Sequence, residues 1–279
     1  MAISNFIPTI WSENLYTQLD RRYIAVSHCN RDYEGDIKEK GSVVNIIGVG
    51  TVNVFDYTKD TDMSAPQALS DTLRTLVIDQ AKAFNFQIDD IDRAQCTPKL
   101  MDEAMKVASA ALANAADRYV FSLYSAAGTT ITEANTTTSN IIGYLIDART
   151  ALYTKDVTDA SDIVIEVSPQ IAALILKAKI DLSTDNREQL ECGCIGSIGG
   201  CKIYVSNNIA TETADQTIYY KCLARTRRAI AFAEQLSEIS AYRPEKRFAD
   251  AVKGLHLYGA KVVYPDEVVL LNLGIPVTA

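Results

Sequence analysis

Histidine and tryptophan are scarce: 279 residues contain two histidines, His28 and His256, and one tryptophan, Trp11. The two histidines are far apart in the chain. No Gly-x-Ser-x-Gly elbow pairs either with a nucleophilic serine, so nothing points to a Ser-His-Asp triad. His256 lies in the apolar alternation Leu255-His256-Leu257-Tyr258 and reads as an ordinary strand histidine. Positive charge is also in short supply. Lys and Arg total 27 against 35 Asp and Glu, a net charge of 27 − 35 = −8, whereas a protein that clamps nucleic acid through its phosphates normally runs basic. No apolar run reaches the ~18–20 residues that a membrane span needs. The opening Met1-Ala2-Ile3-Ser4-Asn5-Phe6-Ile7-Pro8 lacks a basic region followed by an apolar core, and so does not read as a secretory signal. No repeat with a period of 20–50 residues is present.

Other motifs are incomplete. Gly48-Val49-Gly50 lacks the third glycine of a dinucleotide fingerprint, and strand-forming rather than helix-forming residues follow it. A β-turn or bulge is the better account. Of six cysteines, Cys192, Cys194 and Cys201 share a glycine-rich stretch. They supply three thiols without a nearby fourth ligand or x2–x2 zinc spacing. Small residues in a loop of a reduced protein explain them; a thiol or zinc enzyme centred on these three is the alternative. Asp89, Asp90 and Asp92 read as an acidic loop before a helix.

Apolar residues make up 48% of the chain and charged residues 22%, which excludes intrinsic disorder. Tyrosine supplies 14 of 22 aromatics, a bias towards half-wet surfaces. Trp11, Leu15, Leu19 and Tyr23 at four-residue steps suggest helix within 4–27. From Ser42 the period becomes two, and 42–90 reads as a long two-stranded arm with a polar tip over 56–71. Such a hairpin is marginal alone in water and must lie on something. Thr97-Pro98 starts a helix that Gly128 ends, about 45 Å long at 1.5 Å per residue. The polar run 129–139 reads as a linker. Helices follow over 141–153 and 169–179, with strands over 163–167, 202–206, 217–225, 230–238, 254–264 and 268–273. The only basic clusters are Lys221, Arg225, Arg227, Arg228 and Arg243, Lys246, Arg247. They are thin as nucleic-acid contacts, and salt bridges to neighbouring copies or plain solvation suit them better.

This order of parts resembles the major capsid (coat) protein of tailed bacteriophages, the Hong Kong 97-type α+β fold shared with herpesvirus shells. The residues that carry the resemblance are Trp11 to Leu15, Asn30 to Ile37 with Gly41 to Val44, and Val54 to Thr58. Ile78 to Lys82, Phe84 to Asp92 and Tyr258 to Asp266 add to it. The resemblance implies an N-arm over 1–40 and an E-loop over 41–92. It places a P-domain with a spine helix in 93–128 and 226–260, and an A-domain in 129–225 and 261–279. It implies no catalytic residue, cofactor or metal, and a subunit that assembles with itself into hexamers and pentamers of an icosahedral phage head around double-stranded DNA. Subunit contacts would fall at Trp11, Tyr33, Tyr57, Thr58, Lys59, Arg225, Arg227 and Arg228. Further partners would be a portal and, since the chain begins almost at the N-arm, a separate scaffolding protein or none. The subunit would be made in the host bacterial cytoplasm and end in the virion, with no membrane contact. An acidic wall would not grip packed DNA. An encapsulin-type compartment around a cargo enzyme is the same-fold alternative.

Overall fold

The structure is a computed structural model that describes residues 18–19, 22–32, 43–49, 56, 59, 71–89, 100–157, 159–178, 194–246 and 248–277. Helix and sheet are mixed and largely segregated, an α+β arrangement. Strands β1 (Val43–Val49) and β2 (Asp71–Val77) form an antiparallel ribbon in unbroken register from Val43↔Val77 to Val49↔Asp71. Gly48 and Val49 therefore continue the strand rather than turning it, since the ladder on β2 satisfies their extended backbone. The expectation of one two-stranded arm over 42–90 is corrected at its second strand. Strand β3 (Gln80–Asp89) leaves the ribbon and pairs antiparallel with β11 (Ala249–Val262), which itself pairs with β10 (Ile230–Tyr242). The alternation at Phe84, Phe86 and Ile88 was a sound strand signal, but it could not say which strand was the partner.

Helix α1 (Leu100–Ser122) packs against this three-stranded sheet and closes in a 3-10 turn, Leu123–Ala126. Its 23 described residues span roughly 35 Å, and the expected start at Thr97-Pro98 lies outside the described residues. Leu112, Ala113, Ala116, Val120 and Phe121 are buried, and the small side chains let the sheet approach closely. Tyr119 meets Tyr258 edge-on at 5.6 Å, and Tyr258 stacks on Phe232 at 5.9 Å, which locks helix to sheet.

The run expected as a linker begins instead with strand β4 (Thr129–Glu133), which pairs in parallel with β12 (Val268–Pro276). Its polarity reflects an edge position, where alternate side chains face water. Helix α2 (Ile141–Tyr153), strand β5 (Ile163–Val167) and helix α3 (Pro169–Lys177) follow as read from the sequence. Ser168 caps α3 by accepting the Ile171 N–H, with proline at the first helical position. All five residues of β5 are buried, as befits a strand covered on both faces.

The glycine-rich stretch is a hairpin rather than a loop. Strands β6 (Cys194–Ile198) and β7 (Cys201–Val205) pair across Gly199 and Gly200, at φ +56° and +90°. Two consecutive positive φ values are what a tight hairpin turn with the right twist requires, and glycine takes them without strain. With β8 (Thr211–Ala214) and β9 (Thr217–Thr226), these strands complete a seven-stranded sheet of order β4-β12-β9-β5-β7-β6, with β8 against β9. β8 is fully exposed and polar, so it had no periodicity to announce it.

The two sheets are joined by one continuous ribbon. Neighbours β9 and β12 in the large sheet become neighbours β10 and β11 in the small one. Between them lie two short 3-10 turns, Arg227–Ala229 and Pro265–Glu267.

Candidate assembly site

No group of three His, Cys, Asp or Glu side chains that could hold a metal ion occurs among the described residues. Cys192 lies outside them. Cys201 is buried, and burial raises its thiol pKa despite Arg149 nearby, so it has little thiolate character. No described helix is long and apolar enough to cross a membrane. A cleft of about 300 Å³ lies beside the ribbon bend, with Asp159, Asp162, Arg227 and Arg228 among its walls. Its charges are of both signs and its apolar surface is small.

The described chemistry is structural, and it concentrates on residues 22–32. This segment crosses from the large sheet to the small one and is gripped on three sides. Helix α1 supplies the first grip. The buried Asp117 carboxylate accepts N–H bonds from Ile24, Ala25 and Val26, each at 3.1 Å, which satisfies the start of the 3-10 turn Val26–His28. Burial pushes the Asp117 carboxyl up to about 7, the backbone hydrogen bonds oppose this, and the Glu166 charge adds to it.

The large sheet supplies the second grip. Arg225 on β9 and Glu166 on β5 are both fully buried and meet as a two-pronged pair, Nε to Oε2 at 3.0 Å and Nη2 to Oε1 at 2.9 Å. The remaining guanidinium donors reach the backbone of the segment, Nη1 to the His28 carbonyl and Nη2 to the Ala25 carbonyl, each at 2.8 Å. Burial alone would raise the Glu166 carboxyl, but Arg225 and His28 outweigh it and hold it below the usual carboxylate range. His28 Nδ1 lies 3.5 Å from Glu166, and its ring packs on Tyr204.

The small sheet supplies the third grip. Buried Glu234 on β10 accepts from Tyr23 Oη at 2.5 Å and from Arg31 Nη2 at 2.6 Å, and lies 2.8 Å from His256 Nε2 on β11. Asn30 forms a parallel bridge with Ala231: its N–H donates to the Ile230 carbonyl, and its carbonyl accepts from Phe232 N–H, both at 2.9 Å. His256 is thus a strand histidine, as read, but one committed to a buried carboxylate.

The β1–β2 ribbon is the other feature directed outward. Val44, Ile46, Leu76 and Ile78 bury one side of it against Ala231, Ala233, Leu257 and Val263 of the small sheet, while Val43 and Val77 remain exposed. Gly259 makes this approach possible, because a Cβ there would collide with the Val77 carbonyl oxygen. Of the residues that join the two strands of the ribbon, Asp56 and Lys59 are described, and both are exposed.

The residues expected at subunit contacts are thereby sorted. Trp11, Tyr33, Tyr57 and Thr58 lie outside the described residues. Lys59 is exposed in a turn, and Arg227 is exposed at the ribbon bend. Arg228 is exposed too, but its guanidinium already pairs with Glu267 at 2.7 Å. Arg225 is a correction: it is fully buried and spent on Glu166 and two carbonyls, so it offers a neighbour nothing. Lys221 is likewise bonded within the chain, to Glu212 at 2.7 Å. A run of basic residues does not make a surface patch here because β9 is buried on both faces from Tyr220 to Thr226, Arg225 included. Glu166, Asp117 and Glu234 were not singled out, although a carboxylate inside the apolar run Ile163 to Val167 was a signal for Glu166.

A comparison with curated proteins finds no match. Solved structures match along nearly the whole chain. A chain from Mycobacterium phage Che8 is 29% identical, with a TM-score of 0.69 over 90% of this chain and 91% of that one. The capsid of Ralstonia phage GP4 gives a TM-score of 0.71 at 12% identity, over 94% and 91%. A virus-like particle from Pyrococcus furiosus gives 0.56 at 11% identity, over 95% and 99%. These likenesses establish the Hong Kong 97-type fold. The family described as phage capsid protein matches residues 72–271, which include both sheets, helix α1, and the Arg225–Glu166 and Glu234–His256 centres. On that match, over a body whose buried charges serve architecture rather than catalysis, this chain belongs to the phage capsid protein family, a structural and non-enzymatic family.

Proposed function

We propose that this protein is the major capsid subunit of an icosahedral phage head, assembling into hexamers and pentamers around double-stranded DNA. The observation that supports this most directly is the family match combined with a β1–β2 ribbon that packs one face on the small sheet and leaves Val43 and Val77 on the other exposed. The small sheet covers one face of the two-stranded ribbon, and a neighbouring copy in a closed ring would cover the other. In this reading the N-arm covers 1–40 and the E-loop 41–92, which includes β3, with α1, β10 and most of β11 in the P-domain and the large sheet in the A-domain. The exposed Lys59 and Arg227, with Trp11, Tyr33, Tyr57 and Thr58, are the contact residues to test first. A portal and a separate scaffolding protein are the further partners. The wall carries net charge −8 and need not bind the packaged DNA strongly.

Electron microscopy of the protein expressed alone and with its phage lysate tests the proposal. Closed shells containing nuclease-protected DNA in the lysate are the expected result. A monodisperse monomer at all concentrations would refute shell formation. Shells that lack nucleic acid and co-purify with a stoichiometric enzyme would instead place the protein among cargo compartments.

A further inference from the structure

The ribbon that joins the two sheets bends where β9 ends at Thr226 and β10 begins at Ile230, and again where β11 ends at Val262 and β12 begins at Val268. The two 3-10 turns of this bend are tied to each other by the Arg228–Glu267 pair at 2.7 Å and by three further bonds. Thr226 Oγ1 donates to Glu267 Oε2 at 2.5 Å, and Val263 and Tyr264 N–H groups donate to the Ala229 carbonyl at 2.8 and 3.2 Å. Residues 22–32 lie across this bend. On the large-sheet side Arg225 holds the carbonyls of Ala25 and His28. On the small-sheet side Asn30 pairs with Ile230 and Phe232, while Tyr23 and Arg31 hold Glu234. Arg225 and Ile230 are five positions apart in sequence and stand on opposite sides of the turn. One short segment therefore bonds both flanks of the bend through buried, charge-assisted contacts, which are rigid because their alternative is an unpaired buried charge.

We infer that residues 22–32 are a brace that fixes the angle between the two sheets, and that Tyr23 and Arg31 are positioning residues for the curvature of the assembled shell. This rests on the shell reading above, in that subunit shape matters only if copies join edge to edge. In a closed assembly a small change of angle inside each subunit is repeated at every contact and changes the radius at which the surface closes. The groups facing the small-sheet end of the brace are Glu234, His256 and Tyr258; those facing the large-sheet end are Glu166 and Arg225, and Asp117 faces it from helix α1.

The test compares the full chain with a Tyr23→Phe/Arg31→Ala variant, with each single substitution as a milder form should the double variant fail to fold. Amide exchange on the unassembled subunit reads the brace directly. Asn30 and Phe232 should exchange faster by about tenfold or more, the equivalent of one net hydrogen bond lost. Val263 and Tyr264, whose N–H groups bond to the Ala229 carbonyl, should follow them, while the β9–β12 ladder keeps its protection. The diameters of particles made by the variant should spread beyond those of the wild type. Val263 and Tyr264 exchanging at the wild-type rate would overturn the brace. Variant shells of the same uniform diameter as wild type would overturn the link to curvature. A wild type that forms no shells would overturn the assembly reading, and with it the link to curvature, while the exchange data would still decide the brace.

Discussion

Arg225→Ala is the most severe single test of the architecture. Both partners of the Arg225–Glu166 pair are fully buried, so the substitution leaves an uncompensated carboxylate in the core. Breaking a buried pair this way costs about 3–5 kcal/mol. The Ala25 and His28 carbonyls lose a charged donor as well, at roughly 1–3 kcal/mol each if no water replaces it. These contributions overlap, because Glu166 can protonate and the cavity can admit water, so the total is set at about 4–6 kcal/mol. Against a whole-domain stability of about 5–15 kcal/mol, such a loss leaves the subunit marginal or unfolded. Urea unfolding followed by circular dichroism, at concentrations too low for assembly, measures it. Arg225→Met combined with Glu166→Leu should recover much of the loss, since an apolar pair of similar volume removes the stranded charge. Recovery should stay incomplete, because neither side chain can donate to the two carbonyls. A loss below about 1 kcal/mol for Arg225→Ala would refute the account of the pair as the anchor of residues 22–32.

Four further outcomes follow from particular residues and segments. The Asp117 carboxyl is raised from its ordinary value of 3.8 to about 7, so the folded state holds the proton more tightly than the unfolded chain. Its contribution to stability is greatest below about pH 4 and is lost as pH rises towards 7, by up to about 4 kcal/mol at 1.36 per unit. Asp117→Asn should remove that slope, so the stability difference between variant and wild type must change between pH 4.5 and 7.5; a constant difference would contradict it. Glu166 runs the other way: its lowered pKa gives stability that is present above the ordinary carboxylate value and is lost in stronger acid. Gly259→Ala should push the base of the β1–β2 ribbon off the small sheet, at about 1–3 kcal/mol, and reduce the amide protection of Leu76 and Ile78; unchanged protection would show that the approach is not tight. Deleting residues 56–70 should leave a subunit with wild-type urea stability that assembles poorly, and normal shells from that deletion would remove the role assigned to the arm.

Period and capping made most single elements legible in the sequence. Helices α2 and α3 and strands β5, β7 and β9 announced themselves through capping residues, buried apolar runs and β-branched composition, all local properties of the chain. The family resemblance was legible for the same reason, because the order of elements is written along the sequence. Partners were not. Strand β3 looked like the return strand of an arm until β11 claimed it, and Thr129 to Glu133 looked like a linker until β12 supplied its hydrogen bonds in parallel. These two pairings join residues more than a hundred positions apart, about which period says nothing. The charged residues divide along the same line. By itself the sequence determined how many charges the protein carries and where they fall along the chain. Only the tertiary structure decided that Arg225, Glu166, Asp117 and Glu234 are interior groups, because burial is a property of the packed molecule. It also brought the segment 22–32 across the bend between the two sheets, where each charge found the partner that makes its burial tolerable.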